Sequence, residues 1–405
     1  ILMQKENYMK KLLALCLAAL LAVAGISVFA GCSRDDGTVK VGFIALHDSN
    51  STYDKNFLDA FNTVCEEKNV TPVIKTNVSE DNSAYDAACE LADEGCDVIF
   101  ADSFGHETHV LRAAQEYPKV EFCHATGVQA LTATVDNFHN AFASIYEGRY
   151  LAGVAAGMKL KEQDEAGTLK GQKENGNIKI GYVGAYTYAE VISGYTAFYL
   201  GAKSVVPNLV MEVQFTGSWF DEAAEKQAAE TLINKGASLI SQHADSLGAP
   251  AACRENNVPN VAYNGSTADS CPETYITASR INWIPYFEYM IDCVINGEEI
   301  DDNWCGTLAT GSVVVEALGK NAAEGTQAKL DEVKAKLMSG ELHVFDCSTF
   351  TVGGQTKTSA LADVNGDFQP DTEAIENGIY YESKFRSAPY FDLRIDGIEL
   401  LNEKV

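Results

Sequence analysis

Two segments of this chain recur about 140 residues further on, and both recurrences keep nearly the same offset. "KVGFIALH" (40–47) returns as "KIGYVGAY" (179–186), with a glycine third in each. "LADEGCDVIFADS" (91–103) returns as "LINKGASLISQHADS" (232–246), including the helix end, the glycine stop and the apolar strand. A period this long does not suit a stacked solenoid. It predicts two similar lobes built from the same units, and that restricts the fold more than any other feature.

The unit is legible from Val39 onward. "VKVGFIALH" reads as a buried strand, and "KNFLDAFNTVCEEK" (55–68) places Phe57, Leu58, Phe61, Val64 and Cys65 on one helical face. "TPVIKTNV", "CDVIFADS" and "KVEFCHAT" are strand-like, and "SAYDAACELADEG" and "ETHVLRAAQEY" between them are helical. Alternation of this kind gives an α/β fold, an open parallel sheet with helices on both faces. The polar run "KEQDEAGTLKGQKENGN" (161–177) reads as a linker or surface excursion. The expected lobes are 39–160, with part of 284–320 returning to it, and 178–283, completed by part of 321–400. Beyond Asp301 the pattern loosens: "TQAKLDEVKAKLMSGELHVF" predicts a helix ending near Gly340 and running into a strand. Asp363, Asn365 and Asp367 have calcium-loop spacing, but Ala374 stands where the loop needs glutamate, which favours an Asx-turn cluster.

Ahead of the repeats, Lys10 and Lys11 precede an apolar run, Leu12 to Ala30, that stops at "SVFAGCSRDDG" (27–37). A cationic start, an apolar middle and a small-residue end form a secretory signal. The run is almost long enough to be an uncleaved membrane anchor. Phe29-Ala30-Gly31-Cys32 separates the two, because it resembles the lipobox of bacterial lipoproteins. The expectation is a signal peptide over 1–31, a lipid on Cys32 and a linker over 32–38.

The formal charge is −27, and removing the leader makes the remainder slightly more acidic. Such a chain repels nucleic acid. Eleven cysteines are present; Cys16 and Cys32 belong to the leader and lipobox, leaving nine, an odd number. Contexts such as "VEFCHAT" predict reduced, buried thiols, with one or two bridges left open. No CxxC pair offers a zinc site, and His106 and His109 read as exposed helix histidines rather than a metal pair.

Ligands of open parallel sheets bind beyond the carboxyl ends of the strands. Those ends carry Asp48, Tyr53, Ser103, Phe104, Thr126, Tyr186, Trp219, Phe220, Asp245 and Asn264. Aromatics mixed with hydroxyls, amides and single acids suit a flat ring with a polar rim. His124 and His243 also lie at strand ends, as acid–base groups or as polar contacts. GxSxG, GxxxxGK[ST] and GxGxxG are all absent, so no catalysis and no cofactor are expected.

"ADSFGHETHVLRAAQEYPKVEFCHATG", "YEGRYLAGVAAG" (146–157), "GSWFDEAAEKQAAETLINKGASLISQHADS" and "SRINWIPYFEYMID" together resemble the basic membrane lipoprotein family, in particular its purine-binding branch. The resemblance runs from about Val39 to Asn303, with a looser fit in "SGELHVF" and "SAPYFDLRIDGI". It implies the type I periplasmic-binding-protein fold, two doubly wound lobes joined by a hinge, and a monomeric solute receptor of an ATP-driven importer with permease and ATPase partners. Its position would be at the cell membrane, facing outward. By position, the family's ligand contacts fall on Asp48, Thr52, Tyr53, Ser103, Phe104, Trp219, Phe220, His243, Asp245 and Asn264. Serine stands in "DSNSTY" where relatives often carry an aromatic, and the turn at Asn264 lacks the Gly-Asp pair that nucleoside binders use. The resemblance implies a purine base or nucleoside, and these departures favour the base. A sugar receptor on the same fold, a nucleoside hydrolase using Asp48 or Asp245, and a sensor domain are the rival readings.

Overall fold

The computed structural model describes residues 38–404 apart from Gln172 and Phe368. The leader and the lipobox residue Cys32 lie outside the described residues. The described part opens with β1 (Lys40–Ile44), α1 (Thr52–Lys68), β2 (Thr71–Lys75), α2 (Asn82–Asp93), β3 (Val98–Ala101), α3 (Glu107–Glu116), β4 (Glu121–Ala125) and β5 (Phe138–Ala143). After α4 (Ile145–Glu165) the series repeats as β6 (Ile178–Gly184), α5 (Ala189–Val205), β7 (Leu209–Phe215), α6 (Glu222–Asn234), β8 (Ile240–His243), α7 (Gly248–Asn256), β9 (Asn260–Tyr263) and β10 (Tyr275–Ile281). Then come α8 (Ile284–Asn296), β11 (Asn303–Gly306), β12 (Val313–Val315), α9 (Thr326–Ser339), two short hairpins and β13 (Ile398–Leu400).

Local chemistry accounts for the elements. In α1 the Ser51 hydroxyl accepts from the Asp54 N–H at 3.2 Å, which caps the helix, and Phe57, Leu58, Phe61, Val64 and Cys65 are buried, as their spacing predicts. The repeated glycine has a packing reason. A Cβ on Gly42 would meet Ile99 at 2.9 Å and Leu91 at 3.2 Å, and one on Gly181 would meet Ile240 at 2.6 Å and Leu232 at 2.8 Å. The same helix leucine thus rests on the first strand in each half.

The strands form two sheets. One runs β11-β5-β4-β3-β1-β2 and is parallel throughout; the other runs β12-β10-β9-β8-β6-β7-β13, with only β12 antiparallel to its neighbour. Apart from the edges the two orders are the same. The expected boundary at residue 160 groups α4 with the first lobe, but α4 packs on α5, β10 and β12 of the second. The chain therefore crosses at Ser144, immediately after β5. It crosses back between β10 and α8, and a third time between β11 and β12. The crossings are tied together: the Ser144 N–H donates to Gly306 O at 2.8 Å, Asn282 N–H to Ser312 O at 2.8 Å, and Leu308 N–H to the Glu147 carboxylate at 2.9 Å.

The strand expected in "ELHVF" does not form; there Phe345 packs face to face on Phe391 at 4.2 Å, and aromatic burial replaces a ladder. Asp363, Asn365 and Asp367 make Asx turns, accepting from the N–H groups of Gly366, Asp367 and Gln369 at 2.8, 3.1 and 2.8 Å. Cysteines 65, 89, 123, 253, 271, 293, 305 and 347 are free thiols, Cys96 is buried, and only Cys89 and Cys305 are partly exposed. His106 departs from the exposed helix position expected of it: it is buried, with Nε2 2.8 Å from Val78 O.

Candidate ligand-binding site

The carboxyl ends of the two sheets face each other across a narrow cavity that is partly open to solvent. Tyr53, Ser103, Phe104, Thr126, Trp219, His243, Asp245 and Asn264 line it, all expected from the strand ends or the resemblance. Leu46, His47, Asp54, Glu190 and Tyr263 complete the wall.

On the first lobe, Asp54 folds the loop after β1. Its carboxylate accepts from the His47 N–H at 2.7 Å and lies 3.4 Å from His47 Nδ1. Burial works to raise this carboxyl, but hydrogen bonds from His47 and Ser51 outweigh it and hold the pKa below the usual range. Asp102 behaves oppositely. One oxygen accepts from the Leu46 N–H at 3.1 Å, the other has no partner, and burial first, then the Asp54 charge, push its pKa well up. The Tyr53 hydroxyl donates to Asp102 O at 2.7 Å, which turns the ring across the cavity.

On the second lobe, His243 lies 4.4 Å from the Tyr263 ring, with Nε2 3.5 Å from Glu190 at the start of α5. Burial depresses its pKa, so the ring is neutral. Asn264 donates to Asp245 Oδ1 at 3.0 Å; burial, then Glu225, raise the Asp245 pKa well above its ordinary value. No lysine or arginine is among the lining residues. Behind this wall the fully buried Arg149 guanidinium sits 4.7 Å from the Tyr263 ring centre.

The lobes touch around the cavity. The Thr52 N–H and hydroxyl both donate to Asp245 O, at 2.9 and 3.1 Å. Phe104, 45 % exposed, reaches Tyr188 at 5.6 Å, and Tyr188 stacks on Tyr186 at 5.1 Å.

Four expected residues do not line the cavity. Thr52 is spent on the contact with Asp245. Asp48 caps its own turn, accepting from Asn50 N and Nδ2 at 2.9 and 2.8 Å. Tyr186 stands behind Trp219, edge to face at 5.2 Å, and Phe220 packs against His47 at 5.5 Å. Among the residues not anticipated, Asp54 and Glu190 sit in the first turns of helices, where an acid is already explained by the helix dipole. His47 belongs to the first strand-end loop and could have been drawn from it.

The chain matches the family described as ABC transporter substrate-binding protein PnrA-like over residues 41–347. It belongs to that family. A purine-binding protein of Brucella abortus is 30% identical over 332 residues, which is 80% of this chain and 87% of the relative. A putative ABC transporter glucose-binding protein of Haloferax volcanii is 29% identical over 64% of this chain and 62% of its own length. A solved solute-binding protein of an ABC transporter system from Conexibacter woesei superposes with a TM-score of 0.61 at 22% identity, covering 76% of this chain and 98% of the other, a likeness of fold. PnrA-like membership implies a small-molecule ligand and permease and ATPase partners, and the family is one of binding proteins rather than enzymes.

Proposed function

We propose that this PnrA-like protein is a monomeric receptor, held to the outer face of the membrane by a lipid on Cys32, that captures a purine base and presents it to its importer. The observation that carries the reading is the cavity lining: Phe104, Trp219, Tyr53 and Tyr263 are aromatic, Asp245, Glu190 and Asn264 supply polar edges, and neither lysine nor arginine is present. A flat heterocycle with N–H donors on its rim fits that lining, and a phosphate does not. Stacking is worth about 1–3 kcal/mol per base. Each rim hydrogen bond adds about 1 kcal/mol net. A few such contacts reach micromolar affinity, about 8 kcal/mol. The name of the Brucella relative agrees with a purine, and the lipobox supports the anchor.

The name of the Haloferax relative keeps a sugar as the second reading. Isothermal titration calorimetry with adenine, guanine, hypoxanthine, inosine, glucose and ribose decides between them. The proposal expects a base to bind most tightly; saturable binding of a sugar with none of a purine overturns it. Labelling of the wild type by palmitate, lost in Cys32→Ala, tests the anchor.

A further inference from the structure

The family match ends at residue 347, yet a later segment returns to the edge of the cavity. β13 lies parallel to β7, with Ile398 opposite Met211 and Leu400 opposite Val213. Beyond it, Asn402 holds both backbone groups of Phe215: its side-chain oxygen accepts from the Phe215 N–H at 2.8 Å, and its amide donates to Phe215 O at 2.9 Å. Lys404 pairs with the other loop. Its N–H donates to the Thr187 hydroxyl at 2.9 Å, and its carbonyl accepts from the Thr187 N–H at 2.7 Å. The Lys404 side chain covers Gly217, where an added Cβ would lie 3.3 Å from Cδ.

Phe215 and Gly217 belong to the strand end and loop that present Trp219. Thr187 stands between Tyr186 and Tyr188, whose rings lie 5.2 and 6.2 Å from the Trp219 ring. The two loops already meet at one backbone bond, the Gly217 N–H donating to Ala185 O at 2.9 Å, and within the second the Thr216 hydroxyl donates to Ser218 O at 2.9 Å. The segment at 402–404 bonds to both loops at once, from outside the cavity.

We infer that Asn402 and Lys404 are positioning residues for the ligand site, bracing the loops after β6 and β7 from outside so that Trp219 is held on the cavity wall with Tyr186 and Tyr188 packed beside it. Neither residue lines the cavity, so both act through the wall. The inference rests on that cavity being the ligand site, but not on the ligand being a purine.

The test uses the full chain labelled with 5-fluorotryptophan, whose three fluorine resonances are assigned with Trp219→Phe. In Asn402→Ala the Trp219 resonance should shift or broaden while those of Trp283 and Trp304 stay in place. Affinity for whichever of adenine or guanine binds the wild type should weaken by about fivefold, the worth of one hydrogen bond. Thr187→Val, which removes the acceptor of the Lys404 N–H, should give the same pattern and serves if Asn402→Ala lowers thermal stability. An unmoved Trp219 resonance, movement of all three resonances together in both variants, or unchanged affinity for a base that binds the wild type overturns the inference. Failure of every purine to bind the wild type counts against the purine reading alone, and the fluorine spectra still decide the positioning role.

Discussion

Thr126 and Asn264 occupy the same place in the two halves of the molecule. Each directly follows the corresponding strand, β4 or β9, each has left-handed backbone with φ of 64° and 62°, and each donates its N–H to the next strand, to Ala141 O at 3.3 Å and Ser279 O at 3.0 Å. Asparagine tolerates that conformation, whereas a β-branched residue is strained there by about 1–2 kcal/mol. Thr126→Gly should therefore raise the urea midpoint by the equivalent of about 1 kcal/mol. A clear loss of stability would show that the threonine side chain contributes more than its backbone costs.

Trp219 is partly exposed on the cavity wall, and its backbone oxygen accepts from the Asp245 N–H at 2.9 Å whatever the side chain. Trp219→Ala should leave the thermal midpoint nearly unchanged and weaken ligand binding by about tenfold or more. Unchanged calorimetric affinity removes the ring from the site.

Stability should fall with alkali through Glu382. One carboxylate oxygen accepts from the Phe391 N–H at 2.8 Å, the other has no partner, and burial pushes the pKa up to about 8. The folded state holds this proton more tightly than the unfolded chain, so the contribution is full below the ordinary glutamate range and is lost as pH rises towards 8. The total is about 5 kcal/mol, and Glu382→Gln should flatten that limb in urea titrations at pH 5, 6.5 and 8. His106 acts with the opposite sign. Burial lowers its pKa to about 4, so its contribution is present above the ordinary histidine value and lost as pH falls towards 4. A Glu382→Gln profile parallel to the wild type would contradict the assignment.

Arg149 carries a buried charge whose hydrogen bonds go to no carboxylate. It donates to the Tyr182 hydroxyl at 2.7 Å, Ser241 Oγ at 3.1 Å, Gln242 O at 3.2 Å and Ser279 Oγ at 3.3 Å, bracing three strands beneath the cavity. Arg149→Met leaves those acceptors unpaired and should cost about 2–3 kcal/mol in denaturant unfolding. Arg149→Lys should lose nearly as much, because an ammonium group cannot match the planar fork. Wild-type stability in Arg149→Lys would show that the charge alone matters.

The repeats carried the architecture openly. Gly42 with Leu91 and Gly181 with Leu232 are packing pairs, and packing pairs leave a trace in sequence that duplication copies intact. Strand ends also pointed to Tyr53, Phe104, Trp219, Asp245 and Asn264, because the end of a parallel strand opens where ligands bind. Glu190 and Asp54 were not legible: a first-turn acid looks the same whether it faces solvent or folds inward. Tyr186 and Phe220 misled for a related reason, since the twist of a loop decides which of several neighbouring rings faces the cavity. The region after Asp301 carried little signal, because turns and aromatic packing there replace the ladder that periodicity detects.

The three bonded crossings at Ser144, Asn282 and the 306–313 stretch have a mechanical consequence. A single tether would leave the halves free to swivel, whereas three ribbons fastened side by side bend easily in one direction and resist torsion and shear. Any opening about these ribbons would bring the two faces back in the same alignment, with no search for register.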